Sequence, residues 1–341
     1  MAQRITMAAV ARRAGVSPMT VSNVLRGKAS VAPELRSRVE EAVRETGYRV
    51  NVSARTLRSG RSGVIGLLAP GTDSPFSYYG MLGGLIAQEA RRHSLSLVTE
   101  TPEADLLAEV AAVERARTLA YDGLIITPLA MRPEDADLLP ADLPVVVLGE
   151  RPAPTGTAHI SLSNQEGMFA ATTHLLERGC RSIALLAGDG WPETDPLARR
   201  IDGYRDALAA WGGEAGEPML IPVAGLTAQA GREAARDSVD RGLRPYGYVG
   251  VTDSVMLGAV RGLADRGLRV PEDALAIGFD GIPEGEFSLP SLSTISPDHR
   301  WIARRAVELL QERIDAPAPA ELGGLEIRAP FTLVERESTR R

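Results

Sequence analysis

Residues 10–25 read VARRAGVSPMTVSNVL, and this stretch decides the fold of the N-terminal part of the chain. Apolar residues recur there at helical spacing until Gly15 interrupts them, and Ser17 followed by Pro18 is a typical helix start. A second apolar face then continues to Leu25. The stretch therefore predicts two short helices joined by a tight glycine turn, which is the geometry of a DNA-binding helix-turn-helix.

The surrounding residues extend this prediction. We place the two helices over 7–14 and 18–25, and a third helix starts at Pro33 and ends at Gly47. Residues 1–62 contain twelve Arg and Lys against four Glu, a net charge of +8, whereas the rest of the chain has 26 basic and 40 acidic residues, a net of −14. A small basic head on an acidic body is typical of a nucleic-acid-binding protein, because phosphate contacts release counterions.

From Val64 onward the pattern changes to short apolar runs that alternate with amphipathic stretches. The runs predict strands at 64–68, 94–99, 123–127, 145–148, 183–187, 219–223, 246–251 and 275–279. The amphipathic stretches predict helices at 104–119, 166–178, 198–211, 230–241 and 254–266. This alternation predicts two doubly wound parallel sheets, with a ligand at the carboxyl ends of the strands, between two lobes.

Catalytic, metal-binding and membrane functions find no support in the sequence. It contains no Gly-x-Ser-x-Gly motif, and residues 27–30 only mimic the end of a phosphate-binding loop. The four histidines show no metal-ligand spacing, and the single cysteine, Cys180, favours the cytoplasm. No apolar run approaches the roughly 20 residues of a membrane span, and the N-terminus does not look like a signal peptide. We therefore expect no enzyme activity, no cofactor, no metal and no membrane partner.

The stretch at 10–25 resembles the head of the LacI/GalR repressor family, and the match continues through 47–51 and 54–60. Further segments resemble the larger domain of that family and occur in the same order along the chain: 74–76, 121–126, 179–184, 200–204, 252–254 and 277–280. The resemblance implies a small all-α helix-turn-helix head and an α/β two-lobe body like that of periplasmic binding proteins.

Three regions follow from the resemblance. We assign 1–50 to the DNA-binding domain, 51–62 to a hinge helix and linker, and 63–341 to the effector-binding and dimerisation domain. Because the chain crosses between the lobes three times in this fold, the lobes are discontinuous. The boundaries are 63–162 and 295–323 for the N-lobe, and 163–292 and 324–334 for the C-lobe.

Candidate DNA contacts lie in the head and the hinge. The second helix presents Pro18, Met19, Thr20 and Asn23 to the major groove, where Asn can pair with adenine and Thr or Met can touch a thymine methyl. Thr6, Ser17, Ser22 and Arg26 suit phosphates. In the hinge, the candidates are Asn51, Ala54, Arg55, Leu57 and Arg58. The resemblance implies that Leu57 wedges into the minor groove and bends the duplex.

Candidate effector contacts follow strands of the body. The family places a ligand-gripping arginine at the position of Arg200, and an arginine can fork two hydrogen bonds to hydroxyls or a carboxylate. Asp280 is a natural acceptor for hydroxyls or for Arg200, and Thr252 and Asp253 lie just past a strand. Weaker candidates are Phe76, Ser77, Glu150, Asp189 and Trp191. Trp191 either stacks on a sugar face or packs under its loop. Sugar-responsive relatives often place an aromatic residue near Leu226, where this chain has none.

These assignments predict a cytoplasmic transcriptional repressor that binds a near-palindromic operator as a homodimer and is switched by a sugar-like effector. Whether the effector releases or strengthens DNA binding stays open. The alternatives are an enzyme, a periplasmic solute receptor, and a repressor without ligand response. After Val334 no leucine heptad follows, so we expect no added tetramer helix.

Overall fold

The structure, a computed structural model, describes residues 6–25, 31–48, 60–70, 78–103, 105–140, 142–149, 157–188, 196–213, 215–316 and 326–340. The chain divides into two compact units, Met1–Ser62 and Gly63–Arg341. Within the described residues, no helix combines the length and the apolar character that a bilayer span requires.

The described residues of the N-terminal unit form three helices around a small core: α1 (Met7–Ala14), α2 (Pro18–Leu25) and α3 (Pro33–Thr46). Thr6 caps α1, because its hydroxyl accepts a hydrogen bond from the Ala9 amide at 3.4 Å. Gly15 ends α1 in the left-handed conformation with φ 63°, and Arg38 donates to the Ala14 carbonyl at 2.7 Å. The Ser17 hydroxyl accepts from the Thr20 amide at 3.1 Å. The sequence prediction of both short helices and of the Ser17 cap is confirmed.

In the part of the body that the structure describes, the strands form two six-stranded sheets. The strands of the first sheet, in spatial order, are β11 (Glu326–Ala329), β5 (Ala158–Leu162), β4 (Val145–Leu148), β3 (Gly123–Ile126), β1 (Val64–Leu68) and β2 (Ser96–Glu100). All neighbours are parallel. The central strands are buried along their whole length, as expected for a parallel sheet covered by helices on both faces.

The second sheet has the same plan with one antiparallel edge. Its strands, in spatial order, are β12 (Phe331–Val334), β10 (Ser293–Pro297), β9 (Leu275–Phe279), β8 (Gly247–Gly250), β6 (Ile183–Leu186) and β7 (Met219–Ile221). β12 pairs antiparallel with β10, and the other neighbours are parallel.

Helices cover both sheets, which confirms the predicted doubly wound architecture. They are α4 (Tyr78–Arg92), α5 (Leu106–Thr118), α6 (Asn164–Glu177), α7 (Pro196–Trp211), α8 (Ala228–Asp240), α9 (Asp253–Ala264), α10 (Glu284–Phe287) and α11 (His299–Asp315). α4 and α11 share one core with the first sheet, and α5 packs on its opposite face. Short 3-10 turns occur at Pro133–Leu138 and Glu337–Thr339.

The predicted lobe boundaries need two corrections. β10 belongs to the second sheet through residue 297, so the predicted return to the N-lobe at 295 comes too early. β11 pairs with β5 in the first sheet, so assigning all of 324–334 to the C-lobe is wrong for 326–329. Only Pro330 separates β11 from β12, and β11 is a partly exposed edge strand without a continuous apolar run. The sequence pattern therefore does not show where the chain passes from the first sheet at β11 to the second sheet at β12.

Candidate functional site

A cavity of about 310 Å³ lies in the body, and both sheets contribute to its lining. Several lining residues stand at or just past the carboxyl end of a strand: Thr127 after β3, Gly149 after β4, Leu162 at the end of β5, Thr252 after β8 and Asp280 after β9. This is the position that the topology of open α/β sheets gives to a ligand. The predicted location between the two lobes matches the geometry of the lining.

Arg200 is the most fully engaged polar side chain of the cavity. It projects from α7 and is only 5% exposed. Its Nε donates to Oδ1 of Asn164 at 2.6 Å, and Nη1 donates to the Val251 carbonyl at 2.6 Å. Its Nη2 donates to Oδ1 of Asp280 at 2.9 Å. The guanidinium carbon lies 3.8 Å from the centre of the Phe279 ring, a cation–π contact that supports its plane.

Asp280 follows β9 directly and forms a buried ion pair with Arg200. Its backbone has φ 115°, a left-handed conformation that Asp adopts more readily than most residues, and its amide donates to the Ile295 carbonyl at 2.9 Å. Burial raises the pKa of Asp280, while the charge and hydrogen bond of Arg200 oppose this rise. The pair places a fixed cation and a carboxyl group side by side on the cavity wall.

Asp253 has a different role from the predicted one. It is 0% exposed and does not line the cavity. Its Oδ2 accepts from the Ile282 amide at 2.9 Å, and Oδ1 has no hydrogen-bond partner among the described residues. Burial and the nearby carboxylate of Asp280 raise its pKa well above the usual range. Asp253 therefore supports the loop that carries Asp280, and the prediction of direct effector contact is corrected.

Thr252 lines the cavity and also caps α9. Its hydroxyl accepts from the Val255 amide at 3.2 Å, so the side chain is fixed at the helix start. Ser254, one residue inside α9, lines the same wall. The N-terminus of α9 thus places two hydroxyl groups near the Arg200–Asp280 pair.

Sequence reasoning missed several residues that build the site. Asn164, at the start of α6, orients Arg200, and Thr127 stands at the end of β3. Both follow strands, so the rule about carboxyl ends could have found them. Tyr78 and Tyr79 at the start of α4 also line the cavity, and the Tyr78 ring packs edge-on against His299 with ring centres 5.6 Å apart. No sequence motif marks these aromatic residues.

Five of the predicted effector residues fall outside the described residues: Phe76, Ser77, Glu150, Asp189 and Trp191. The same holds for Arg26, Asn51, Ala54, Arg55, Leu57 and Arg58 among the predicted DNA contacts. Their assignments stay predictions.

The second helix of the N-terminal unit presents a continuous accessible face. Met19 is 68% exposed, Ser17 and Pro18 are exposed, and Thr20 and Asn23 are half-buried. Val21 and Val24 point into the core. Ser22 is only 5% exposed, because it lies on the packed side of α2, and this burial argues against the predicted phosphate contact. The remaining residues lie on the accessible side of this helix-turn-helix, where the sequence predicts the DNA contacts.

Comparison with known proteins supports both the helix-turn-helix of the N-terminal unit and the α/β fold of the body. Residues 6–51 match the family model described as "Bacterial regulatory proteins, lacI family", and 172–339 match a "Periplasmic binding protein-like domain". The chain is 31% identical to the HTH-type transcriptional regulator AscG of Escherichia coli, over 85% of this chain and 86% of that protein. It is 32% identical to the regulator GntR of Pseudomonas aeruginosa, over 98% and 96%. The crystal structure of the Lac repressor dimer bound to operator and the anti-inducer ONPF superposes with a TM-score of 0.79 at 26% identity, covering 99% of each chain.

Proposed function

The chain belongs to the lacI family of bacterial regulatory proteins, and from this premise we propose which of its residues bind DNA and which bind the effector. As a member of this family, it is a transcriptional regulator whose affinity for operator DNA is switched by a small molecule. We assign DNA binding to the N-terminal unit and effector binding to the cavity at Arg200 and Asp280.

The Arg200–Asp280 pair is the observation that carries the effector assignment. A guanidinium group has five N–H donors, and three of those of Arg200 donate to protein acceptors in the described structure. The guanidinium lines the cavity beside the carboxyl group of Asp280 and the hydroxyls of Thr252 and Ser254. Closely spaced donors and acceptors of this kind suit the neighbouring hydroxyls of a sugar-like effector.

For DNA recognition we propose that Pro18, Met19, Thr20 and Asn23 contact base edges, while Thr6 and Ser17 contact phosphates. Their exposure on one face of α2 and at the helix starts supports this division. The protein acts as a homodimer on a near-palindromic operator, since a two-fold protein matches a two-fold site. We place it in the cytoplasm, where the DNA is.

We propose that effector binding changes the DNA affinity because residues of both sheets line the cavity. A ligand that contacts both walls stabilises one arrangement of the lobes over the other, and it shifts the equilibrium by its difference in affinity for the two. We propose that this shift biases the hinge at 51–62, where Leu57 is assigned to the minor groove. The sign of the response depends on which arrangement the effector prefers.

The test starts from duplexes selected from a random pool by the full-length protein. Sugars and related metabolites are screened by thermal shift, and operator release is then followed by fluorescence anisotropy. Arg200→Ala should keep operator affinity within about threefold and lose the response to the effector, because it removes the forked donors. Arg269→Ala, which removes an exposed arginine paired with Asp273, should leave both properties unchanged.

Two results would contradict the proposal. A protein that enriches no duplex over the random pool at moderate salt is not an operator-binding regulator. An Arg200→Ala protein that responds to the effector like the unchanged chain would exclude this cavity as the effector site. Tryptophan fluorescence of the body checks that the variant is folded.

A further inference from the structure

The segment 335–340, which we call the strap, follows β12 and has the sequence ERESTR, without a hydrophobic residue. Ser338 and Thr339 are nevertheless 0% exposed. A buried hydroxyl group without a hydrogen-bond partner costs free energy, so both side chains require partners in the fold. The strap is therefore held mainly by hydrogen bonds, which depend on the position and direction of each partner.

Ser338 bridges two neighbouring strands where they begin. Its hydroxyl donates to the Ala276 carbonyl of β9 at 2.6 Å and accepts from the Ser293 amide of β10 at 2.8 Å. The Ser338 amide donates to the Ser291 carbonyl at 3.0 Å. The Glu337 carboxylate accepts from the amide and the hydroxyl of Ser291 at 2.8 and 2.9 Å. The strap therefore fixes the spacing of β9 and β10 at the start of this strand pair.

Thr339 connects the strap to α6 and to β10. Its hydroxyl oxygen lies 3.0 Å from Nε2 of His174 and 2.7 Å from the hydroxyl oxygen of Ser293. Arg178 donates to the Thr339 carbonyl at 3.1 Å. Because His174 lies in the last turn of α6 and Arg178 is its C-cap, the strap contacts the C-terminal end of this helix. Removing the Thr339 hydroxyl would break the link between β10 and α6 that passes through it.

The contacts of the strap lie one residue away from a hydrogen bond of the effector site. Thr294 follows Ser293 in β10, and its hydroxyl accepts from the Gly281 amide at 3.2 Å. Gly281 directly follows Asp280, and the Asp280 amide donates to the Ile295 carbonyl at 2.9 Å. β10 thus binds the strap at its first residue and holds the loop of Asp280 at the next two.

We propose that the strap is a positioning element of the effector site: it holds β9, β10 and α6 together and thereby keeps Asp280 and Asn164 in place around Arg200. Asn164 is the first residue of α6 and Asp280 directly follows β9, so both side chains that accept from Arg200 stand on elements that the strap joins. Neither Ser338 nor Thr339 is among the described residues that line the cavity, so they act through these elements. This inference rests on the proposed function only because that function assigns the Arg200–Asp280 pair to the effector.

Hydrogen–deuterium exchange followed by mass spectrometry on the full-length protein tests the positioning without any ligand. Thr339→Val keeps the shape of the side chain and removes its hydroxyl, so exchange in peptides covering 277–283 and 164–170 should be about fivefold faster or more. Thr339→Ser keeps the hydroxyl and should return the rates to within about twofold of the unchanged chain. Thr332→Val makes the same substitution at an exposed position of β12 and should leave both peptides unchanged.

Ser338→Ala tests the bridge between β9 and β10 separately, and it decides the question if Thr339→Val does not fold. It removes the hydroxyl that joins Ala276 and Ser293, so exchange at 277–283 should again be about fivefold faster or more. In both variants the peptides of β1 to β4 should keep their rates, because the strap contacts the second sheet and α6. This local pattern separates positioning from a general loss of stability, which would raise exchange in both sheets.

Three results would overturn the inference. They are exchange in Thr339→Val or Ser338→Ala no faster than in Thr332→Val, no recovery in Thr339→Ser, or equal acceleration in both sheets. Failure of the proposed function has a different signature. It would appear as absent operator preference, or as an effector response that Arg200→Ala retains, while the exchange pattern of the strap variants stays as expected.

Discussion

The head and the body prepare their binding surfaces in opposite ways. In the described part of the head, Ser22 and Ser62 are the buried polar side chains, and the proposed DNA contacts within 17–23 lie on the surface. The body buries Arg200 and Asp280, which are 80 positions apart in sequence, and joins them in one ion pair. The head thus uses a small apolar core to present polar groups, whereas the body places polar groups inside its fold. A change at a binding residue should therefore alter the free energy of unfolding strongly in the body and only weakly in the head.

The largest expected effect comes from the buried ion pair. Asp280→Asn removes the charge but keeps a residue that tolerates φ 115°. Arg200 would then remain buried without its ionic partner, and removing one partner of such a pair costs about 3 kcal/mol. Urea unfolding monitored by tryptophan fluorescence measures this change in the body, because Trp191, Trp211 and Trp301 all lie beyond residue 62. Operator affinity of the folded fraction should stay within about twofold.

Asp142→Asn is the matched control. It makes the same change in an exposed pair with Arg117, where the contribution of an ion pair is about 0.5 kcal/mol or less. If both variants lose the same small free energy, the contrast between a buried site in the body and a surface site in the head is wrong.

In the head, the turn between α1 and α2 is the sensitive point. A Cβ at Gly15 would lie 2.8 Å from Nη2 of Arg38, in addition to the strain of φ 63°. Gly15→Ala should therefore cost about 2 kcal/mol, since a left-handed residue with a side chain already costs about 1–2 kcal/mol. Hydrogen–deuterium exchange of the α1 and α2 amides measures the loss, and operator affinity should fall with it. The tryptophan transition of the body should not move.

Gly47→Ala separates the two causes. Gly47 also has a left-handed conformation, with φ 64°, but a Cβ at this position would meet no atom of the described residues within 4 Å. This variant should lose about 1 kcal/mol from backbone strain alone. Equal losses for both variants would mean that Arg38 does not contribute to the turn.

The same contrast explains what the sequence could predict. Contiguous signals were sufficient for the head: Gly15, Ser17 and Pro18 lie within one stretch, and the helix bounds agree with the structure. For the body, apolar runs predicted β1–β4 and β6–β9, including the edge strands β2 and β7. The inner strands β5 and β10 were missed because polar side chains interrupt their apolar pattern, and the edge strands β11 and β12 were missed as well. Tyr78 reaches the cavity only through tertiary packing, so no local pattern could assign it, whereas Asn164 follows β5 and could have been found from its position after a strand.

Buried carboxyl groups make the body sensitive to pH. Because the pKa of Asp253 is raised, the folded state holds its proton to a higher pH than the unfolded chain does. The stability that this proton contributes is fully present below the unfolded pKa of about 3.9 and is lost as pH rises through the folded pKa. Asp280, also with a raised pKa, adds in the same direction.

Asp253→Asn should therefore stabilise the body by about 1.5 kcal/mol at pH 8, because a neutral amide avoids burying a charge. The gain should be small near pH 4, where Asp253 is protonated in the folded state and about half protonated in the unfolded chain. Urea unfolding at several pH values measures it. A gain that is the same at pH 4 and pH 8 would contradict a titrating Asp253.

The smallest effect compares two helix caps of the same type. Thr6 caps α1 in the head and Thr227 caps α8 in the body, and each hydroxyl accepts from the amide three residues on, at 3.4 and 3.2 Å. Replacing either by alanine removes about 1 kcal/mol of local stability. A small domain has little net stability, so Thr6→Ala should increase exchange throughout α1–α3, while Thr227→Ala should increase it only at the start of α8. Mass-spectrometric exchange on the full chain resolves both patterns. If the Thr6 effect stays confined to the first turn of α1, the head does not unfold as one small cooperative unit, and its stability is not limited by the size of its core.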